Sequence, residues 1–502
     1  MSDSYREILR SSSIIGGASI VNILVALLRT KVVAVLLGPV GVGLIGLLQN
    51  LMATASTVSA LGFGSVGTRQ IAEANGNSDA QAVSAARRAL FWGTMGLATV
   101  GGSAFWLLRD VLATTVLSDP NAAGTVGWLA AGVVLTVAAG SQGALLNGLR
   151  RISDVARVSV LSALMSTVLG IGALLLLGDQ GILIFVLSAP LSSFLLGHWY
   201  VSRLPRIQGS PTQFRELREQ WETLARLGVA FMVAGLAGPV GLLAVRMIVQ
   251  QQLGAESLGI FQAAWMISAM YIGFVLGAMG ADYYPRLTAT ISDSAATNQL
   301  VNEQAEVALL LAGPVLVAML GLAPWVIEIL FSRQFTDAAD VLRWQVLGDV
   351  LKVASWPLGI VVLASGDGRM VMLIEFIAML VLVGFTWVLM PSFGIEATGI
   401  ANVGKYAIFL PMVYWLARRR TGFRWQRRVR RQLILLMAIA VMVFMLSVWS
   451  KWLGAGLGVT VSALLGLYAL ARIGQMTNLS GFLGRMAVAS RELMARIGVW
   501  DE

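Results

Sequence analysis

The segment at 27–46, LLRTKVVAVLLGPVGVGLIG, returns further along as AVRMIVQQQLGAESLGIFQ at 244–262. Each copy holds an arginine, an apolar helix end, a glycine and a second glycine five residues on. Arg29 and Arg246 are 217 positions apart, and Gly38 and Gly254 are 216 apart. Weaker matches follow near the same offset: Arg69 with Arg286 (217), Trp106 with Trp325 (219) and Gly181 with Gly394 (213). Five pairs near one offset mark two homologous halves.

Composition says what the halves are made of. Hydrophobic residues are 57% of the 502, charged residues only 12%, and the mean hydropathy is +0.78. A soluble domain carries roughly 25% charged residues, so the fold class is an all-α integral membrane protein. Windows of about 20 apolar residues fall at 12–37, 42–66, 88–108, 125–147, 156–177, 181–201, 227–250, 258–281, 306–330, 344–365, 370–390, 396–417, 432–450 and 455–473. That predicts about 14 transmembrane spans with short loops and no soluble domain. MSDSYREILR is polar and the apolar run after it is too long for a signal peptide, so Ser12–Leu37 is expected to be the first span.

Six spans fall in each half. An even number gives both halves the same orientation, as in parallel repeats that hold a substrate near the midplane. The expected organisation is an N-terminal six-helix lobe (1–205), a cytoplasmic linker (206–226), a C-terminal six-helix lobe (227–420), an extra pair of helices (421–475) and an amphipathic cytoplasmic tail (476–502). Of the 36 Lys and Arg residues, 27 fall on the side of the N-terminus, four on the other and five within spans. The positive-inside rule then places both termini in the cytoplasm. The same asymmetry accounts for the pI near 10.4 without nucleic acid. ARRRTGFRWQRRVRR at 417–431, with eight arginines, is read as a topology signal touching anionic membrane lipids.

Five cations lie inside predicted spans and more than two residues from an end: Arg29, Lys31, Arg246, Lys352 and Lys405. A charge at membrane depth costs about 2.5–3.5 kcal/mol on insertion scales and usually faces a polar cavity. Asp349 and Glu375 are the acidic residues at similar depth, too few to neutralise the set. The surplus is positive, which points to an anionic cargo. Structural alternatives stand beside this. Arg29, Lys31 and Arg246 are close enough to a span end to snorkel. Lys352 is three residues from Asp349 and in reach of a local ion pair. Glu375 is a candidate for an ion pair or for coupled proton exchange, and His198 for an interface residue. Pro190, Pro239, Pro314, Pro324, Pro357 and Pro411 fall within spans as ordinary kinks or as hinges. The chain has no cysteine, zinc-ligand cluster or Walker A sequence, so no metal or cofactor is expected and the chain itself does not hydrolyse ATP.

The six-plus-six layout resembles the multidrug/oligosaccharidyl-lipid/polysaccharide exporter superfamily. Within it the chain is most similar to bacterial O-antigen and enterobacterial-common-antigen flippases of the lipid III flippase type. The resemblance covers about residues 8–420. It is carried by the segment at 27–46, by YYPRLTATIS (283–292) and above all by FTDAADVLRWQVLGDVLKVASWPLG (335–359). The last two spans depart from the twelve-span layout of those relatives. The resemblance implies a transporter rather than an enzyme. Its cargo would be an undecaprenyl-diphosphate-linked oligosaccharide, an O-antigen or related repeat unit in lipopolysaccharide or surface-polysaccharide biosynthesis. The cargo would move by alternating access from the cytoplasmic to the periplasmic leaflet of the bacterial inner membrane. A polysaccharide polymerase and a chain-length regulator are the implied partners. Arg29 sits where the related peptidoglycan-precursor flippase also has a cavity arginine, and Arg246 is its repeat counterpart. Substrate binding is therefore assigned to Arg29, Lys31, Arg246, Lys352 and Lys405, with Asp349 and Glu375 in coupling or ion pairing. Gln49, Asn50, Gln142, Asn147 and Asn402 are candidates for sugar contacts. The competing functions are a multidrug/cation antiporter of the same superfamily, a membrane glycan polymerase or ligase, and a scaffold of the assembly complex.

Overall fold

In hydrocarbon, backbone N–H and C=O groups find no water and must bond within their own segment. A chain this apolar is accordingly helical throughout. The computed structural model describes residues 3–205, 214–476, 486 and 488–492, and no strand occurs among them. The order is α1 (Asp3–Ala60), α2 (Phe63–Gly76), α3 (Ala80–Leu107), α4 (Arg109–Leu112, continued by one π-helical turn), α5 (Ala123–Gly148), α6 (Ile152–Leu177) and α7 (Ile182–Ser202). Then come α8 (Phe214–Thr290), α9 (Ser294–Leu330), α10 (Ala338–Ala364), α11 (Gly368–Phe393), α12 (Ala397–Thr421), α13 (Arg427–Trp449) and α14 (Lys451–Met476). Nine helical stretches among the described residues are long and apolar enough to cross a membrane, and α3–α4, bent by 61°, makes a tenth. Gly16–Ala60, Ile152–Ser202, Leu217–Gly277 and Gly368–Thr421 each take in two of the windows expected from sequence. The protein is a multi-pass membrane protein.

The bends within the longest helices fall at glycine. Gly38 (φ 61°) divides α1 and Gly254 (φ 85°) divides α8. Both are in a region that disfavours any side chain, and Pro39 also pushes the residue before it out of the helical region. Pro190, Pro239, Pro314, Pro324, Pro357 and Pro411, expected as kinks or as hinges, all lie within helices. Further pairs of positive-φ residues share the spacing of the bends: Arg150 with Gly366, and Gly178 with Gly394, each 216 apart. Gly394 therefore has Gly178 as its counterpart and not Gly181, because each ends a helix and opens a 3₁₀ turn. The second glycines of the repeated segment touch: a Cβ on Gly43 would lie 2.6 Å from the backbone nitrogen of Gly259.

The described chain divides into two compact units, Met1–Gly259 and Ile260–Glu502. In the first, α5 packs on α3 and α7, and α6 on α7. The second repeats this order, with α10 on α9 and α12, and α11 on α12. The extra pair α13–α14 packs on α9, where Ser462 Oγ donates to the Pro314 carbonyl at 2.7 Å. At one end of that contact buried Glu306 meets Arg472 (3.0 Å) and Arg428 (3.4 Å). Thus part of the arginine-rich run holds the extra helices in place. The amphipathic tail expected at 476–502 and part of the linker at 206–226 lie largely outside the described residues. Of the tail, Arg491 donates to the Ala471 carbonyl at 3.2 Å.

Candidate functional site

Three of the seven site residues expected from sequence belong to the first unit. Arg29 sits on α1, nine residues before the Gly38 bend. Its Nη2 donates to the Phe185 carbonyl on α7 at 3.1 Å, and its guanidinium carbon lies 4.0 Å from the centre of the Phe185 ring. A guanidinium stacked on a ring keeps its charge and most of its N–H fork. Both of these contacts are neutral, so neither cancels the charge. Lys31, one turn-half further on, is half-buried, and Arg246 is buried on α8. No Asp or Glu falls in any predicted span between residues 12 and 250.

The other four come together in the second unit. α10 carries Asp349 and Lys352, α11 carries Glu375, and α12 carries Lys405. Lys352, Glu375 and Lys405 line one cavity of about 260 Å³, with Ser355, Trp356 and Tyr406 among its walls. The Tyr406 ring stands beside both lysines, 4.8 Å from Lys405 Nζ and 5.8 Å from Lys352 Nζ. Lys405 is only 5% exposed and lies within electrostatic reach of Glu375, Lys352 and Asp349. Asp349, 1% exposed, does not close a hydrogen-bonded pair with Lys352. Its Oδ2 accepts instead from Ser268 Oγ (2.7 Å) and Tyr271 Oη (2.5 Å), both on α8. Among the described residues neither lysine has a carboxylate oxygen within 4.0 Å. Two lysines and two carboxylates thus share one region without collapsing into direct ion pairs.

Sequence reasoning missed Ser268, Tyr271 and Tyr406. They are ordinary span residues until helix packing brings them to Asp349 and the lysines. Most of the amides proposed for sugar contacts have internal roles. Asn50 donates to the Pro239 carbonyl at 3.3 Å, Asn402 to that of Gln345 at 3.3 Å, and Asn147 to that of Gly143 at 2.9 Å. His198 stacks on Phe194 and borders a cleft of about 510 Å³ with Arg87, Arg88 and Gln142. The segment at 335–359 is a packing hub. Arg343 bonds Asp340 (2.7 Å), Trp344 Nε1 donates to Glu396 (2.9 Å), and the Trp344 ring lies 4.6 Å from that of Phe444 on α13. Among the described residues no group of three or more His, Cys, Asp or Glu side chains is placed to hold a metal ion.

Cations within apolar helices, beside a cavity in the second unit, together with two units of repeated helix order, define a class of helical membrane transporter fold. Solved structures share it. An inward-facing multidrug resistance MATE family transporter of the MOP superfamily superposes with a TM-score of 0.69 at 18% identity, over 80% of this chain and 98% of its own. The lipid II flippase MurJ in an inward closed conformation gives 0.68 at 11% identity, over 93% of this chain and 99% of its own. A match over 93% must reach into residues 427–502, so the likeness includes part of the extra C-terminal region. The family is given by sequence. Residues 8–291 match the polysaccharide biosynthesis protein family, and the chain belongs to that family. The lipid III flippase of Escherichia coli (strain K12) is 24% identical over 419 residues, 80% of this chain and 97% of its own, and that of Shigella flexneri gives the same figures.

Proposed function

We propose that this chain is a flippase for undecaprenyl-diphosphate-linked oligosaccharide, an O-antigen or related surface-polysaccharide repeat unit. It carries this cargo by alternating access from the cytoplasmic to the periplasmic leaflet of the bacterial inner membrane, with fourteen spans and both termini cytoplasmic. It is a transporter and not an enzyme. Family membership and similarity to lipid III flippases support the cargo class. The observation that carries the proposal is Arg29, whose charge is held inside the bundle, among the described residues, by a π face and a carbonyl.

A diphosphate presents paired oxygens that match the planar guanidinium fork, and lysine adds a compact charge. Arg29, Lys31 and Arg246 supply the cationic surface of the first unit. Lys352 and Lys405 supply that of the second, where Asp349 and Glu375 offset them when no anion is bound. Replacing these carboxylates by cargo phosphate costs less than burying an unpaired charge, because an anion faces the lysines before and after. The two lobes at 1–205 and 227–420 are the moving parts in this scheme. A polymerase and a chain-length regulator would receive the product on the outer face.

The test is translocation of a labelled polyprenyl-diphosphate oligosaccharide in proteoliposomes. The native chain is expected to flip it, and Arg29→Ala and Arg246→Ala, correctly inserted, to lose about tenfold to a hundredfold in rate, as for charged hydrogen bonds. Native protein that moves no lipid-linked glycan but expels organic cations would replace this proposal by a multidrug/cation antiporter.

A further inference from the structure

A cavity of about 330 Å³ in the first unit has a chemistry unlike that of either cationic region. Helices α1, α3 and α5 bring five hydroxyls to its wall: Ser56, Thr57, Thr94, Thr136 and Ser141. No charged side chain lines it, and Phe63 at the start of α2 supplies an aromatic wall. Three of the hydroxyls are occupied by their own helices. Thr57 donates to Ala53 (2.9 Å), Thr136 to Gly132 (2.7 Å) and Ser141 to Ala138 (2.8 Å). Each still has oxygen lone pairs to offer as an acceptor. Ser56 and Thr94 differ. They are 5% and 4% exposed, and their hydroxyls have no hydrogen-bond partner among the described residues. Buried hydroxyls left in that state are costly, and such groups call for a ligand.

We infer that this cavity is a binding site for a neutral sugar ring. A sugar presents hydroxyls that both donate and accept, plus a C–H face that lies against an aromatic ring. The wall answers each of these: donors at Ser56 and Thr94, acceptors at Thr57, Thr136 and Ser141, and the ring of Phe63. The absence of charge from the lining favours an uncharged ring over an acidic one. The inference rests on the flippase proposal for its meaning, since the ring would be a glycosyl unit of the cargo, bound apart from the diphosphate. The space and the hydroxyls stand whether or not the chain flips lipids.

Gly140 gives the means to test it. A Cβ added there meets no atom within 4 Å, so Gly140→Leu grows into open space and occupies the cavity. Thr94→Val keeps the shape and removes one unpartnered hydroxyl. Saturation-transfer NMR on the full chain in nanodiscs would use methyl glucoside, methyl galactoside and methyl N-acetylglucosaminide as probes. Native protein is expected to give a competable signal with at least one of them. Thr94→Val should weaken binding about fivefold, as for one neutral hydrogen bond, and Gly140→Leu should abolish it. Circular dichroism and monodispersity identify folded variants, and Thr94→Val should melt no lower than native.

No signal from native protein with any probe overturns the site, as does a signal unchanged in folded Gly140→Leu. Should Gly140→Leu not fold, an unchanged affinity in Thr94→Val together with Ser56→Ala overturns it. The same preparations are assayed for flipping. Sugar binding without flipping removes the flippase and keeps the site, whereas flipping with no cavity-dependent binding does the reverse.

Discussion

Arg29 in the first unit and Lys405 in the second are both cations inside apolar helices, held by opposite means. Arg29 rests on the Phe185 ring and carbonyl, with no acid in any predicted span of its unit. Lys405 shares a cavity with Lys352 and Glu375 and lies within electrostatic reach of buried Asp349. The whole-chain excess of positive charge is thus unevenly placed. Among the seven site residues the first unit has three cations and no acid, and the second has two of each. A neutral cradle keeps a charge available to an anion at all times. A mixed cluster keeps it available only when something takes the place of the carboxylates. Which residue is chosen follows from this: arginine, always charged, suits the first case, and lysine, easily balanced, suits the second.

The largest effect expected from breaking this contrast is on transport by the first unit. Arg29→Ala should cut the flipping rate up to about a hundredfold, and Arg29→Lys should restore only part of it, because lysine lacks the planar fork. Proteoliposome rates at matched protein insertion check both. No carboxylate change within the spans of the first unit should rescue Arg29→Ala, since none is there to remove.

The second unit should behave oppositely. Lys405→Ala leaves Glu375 and Asp349 under-compensated, and breaking a buried pair costs about 3–5 kcal/mol at the upper end. Adding Glu375→Gln should recover about 1–2 kcal/mol, a coupling read from a double-mutant cycle on thermal stability. Additive losses would mean that the shared cavity does not couple the two charges.

Tyr271→Phe comes next. It removes one of the two hydroxyls donating to Asp349 Oδ2 and should lower stability by about 1–3 kcal/mol, more than Ser355→Ala at the cavity wall, as seen in melting temperature. The smallest change is Glu306→Gln, which keeps an acceptor oxygen for Arg472 and weakens the contact to half-exposed Arg428. A loss of about 1 kcal/mol is expected, seen as faster proteolysis after α12 rather than as a change in flipping.

Much of the fold was legible because a bilayer simplifies the problem. Runs of 20 apolar residues become helices since nothing else satisfies their backbone, and four of the membrane-length stretches each take in two of the expected windows. The repeat was legible at Gly38 and Gly254, whose positive φ only glycine adopts without strain. It was misread at Gly181, because a glycine's identity does not reveal its dihedral angles. At the candidate site, charge alone singled out Lys352, Lys405, Asp349 and Glu375. The hydroxyls of Ser268 and Tyr271 had no such signal, since serine and tyrosine are common in spans for many reasons.

By itself the sequence determined the class of molecule, its all-helical make-up and the seven charged residues singled out at depth in its apolar segments. These follow from local properties, hydropathy and charge, that each window carries without its neighbours. Only the tertiary structure decided what each ionisable group faces: a phenylalanine ring for Arg29, two hydroxyls for Asp349, a shared cavity for the lysines. Those partners are 156, 78 and 53 residues away along the chain in the pairs Arg29–Phe185, Tyr271–Asp349 and Lys352–Lys405. In a bundle of helices, which face meets which is fixed by packing between segments, and no single segment contains that information.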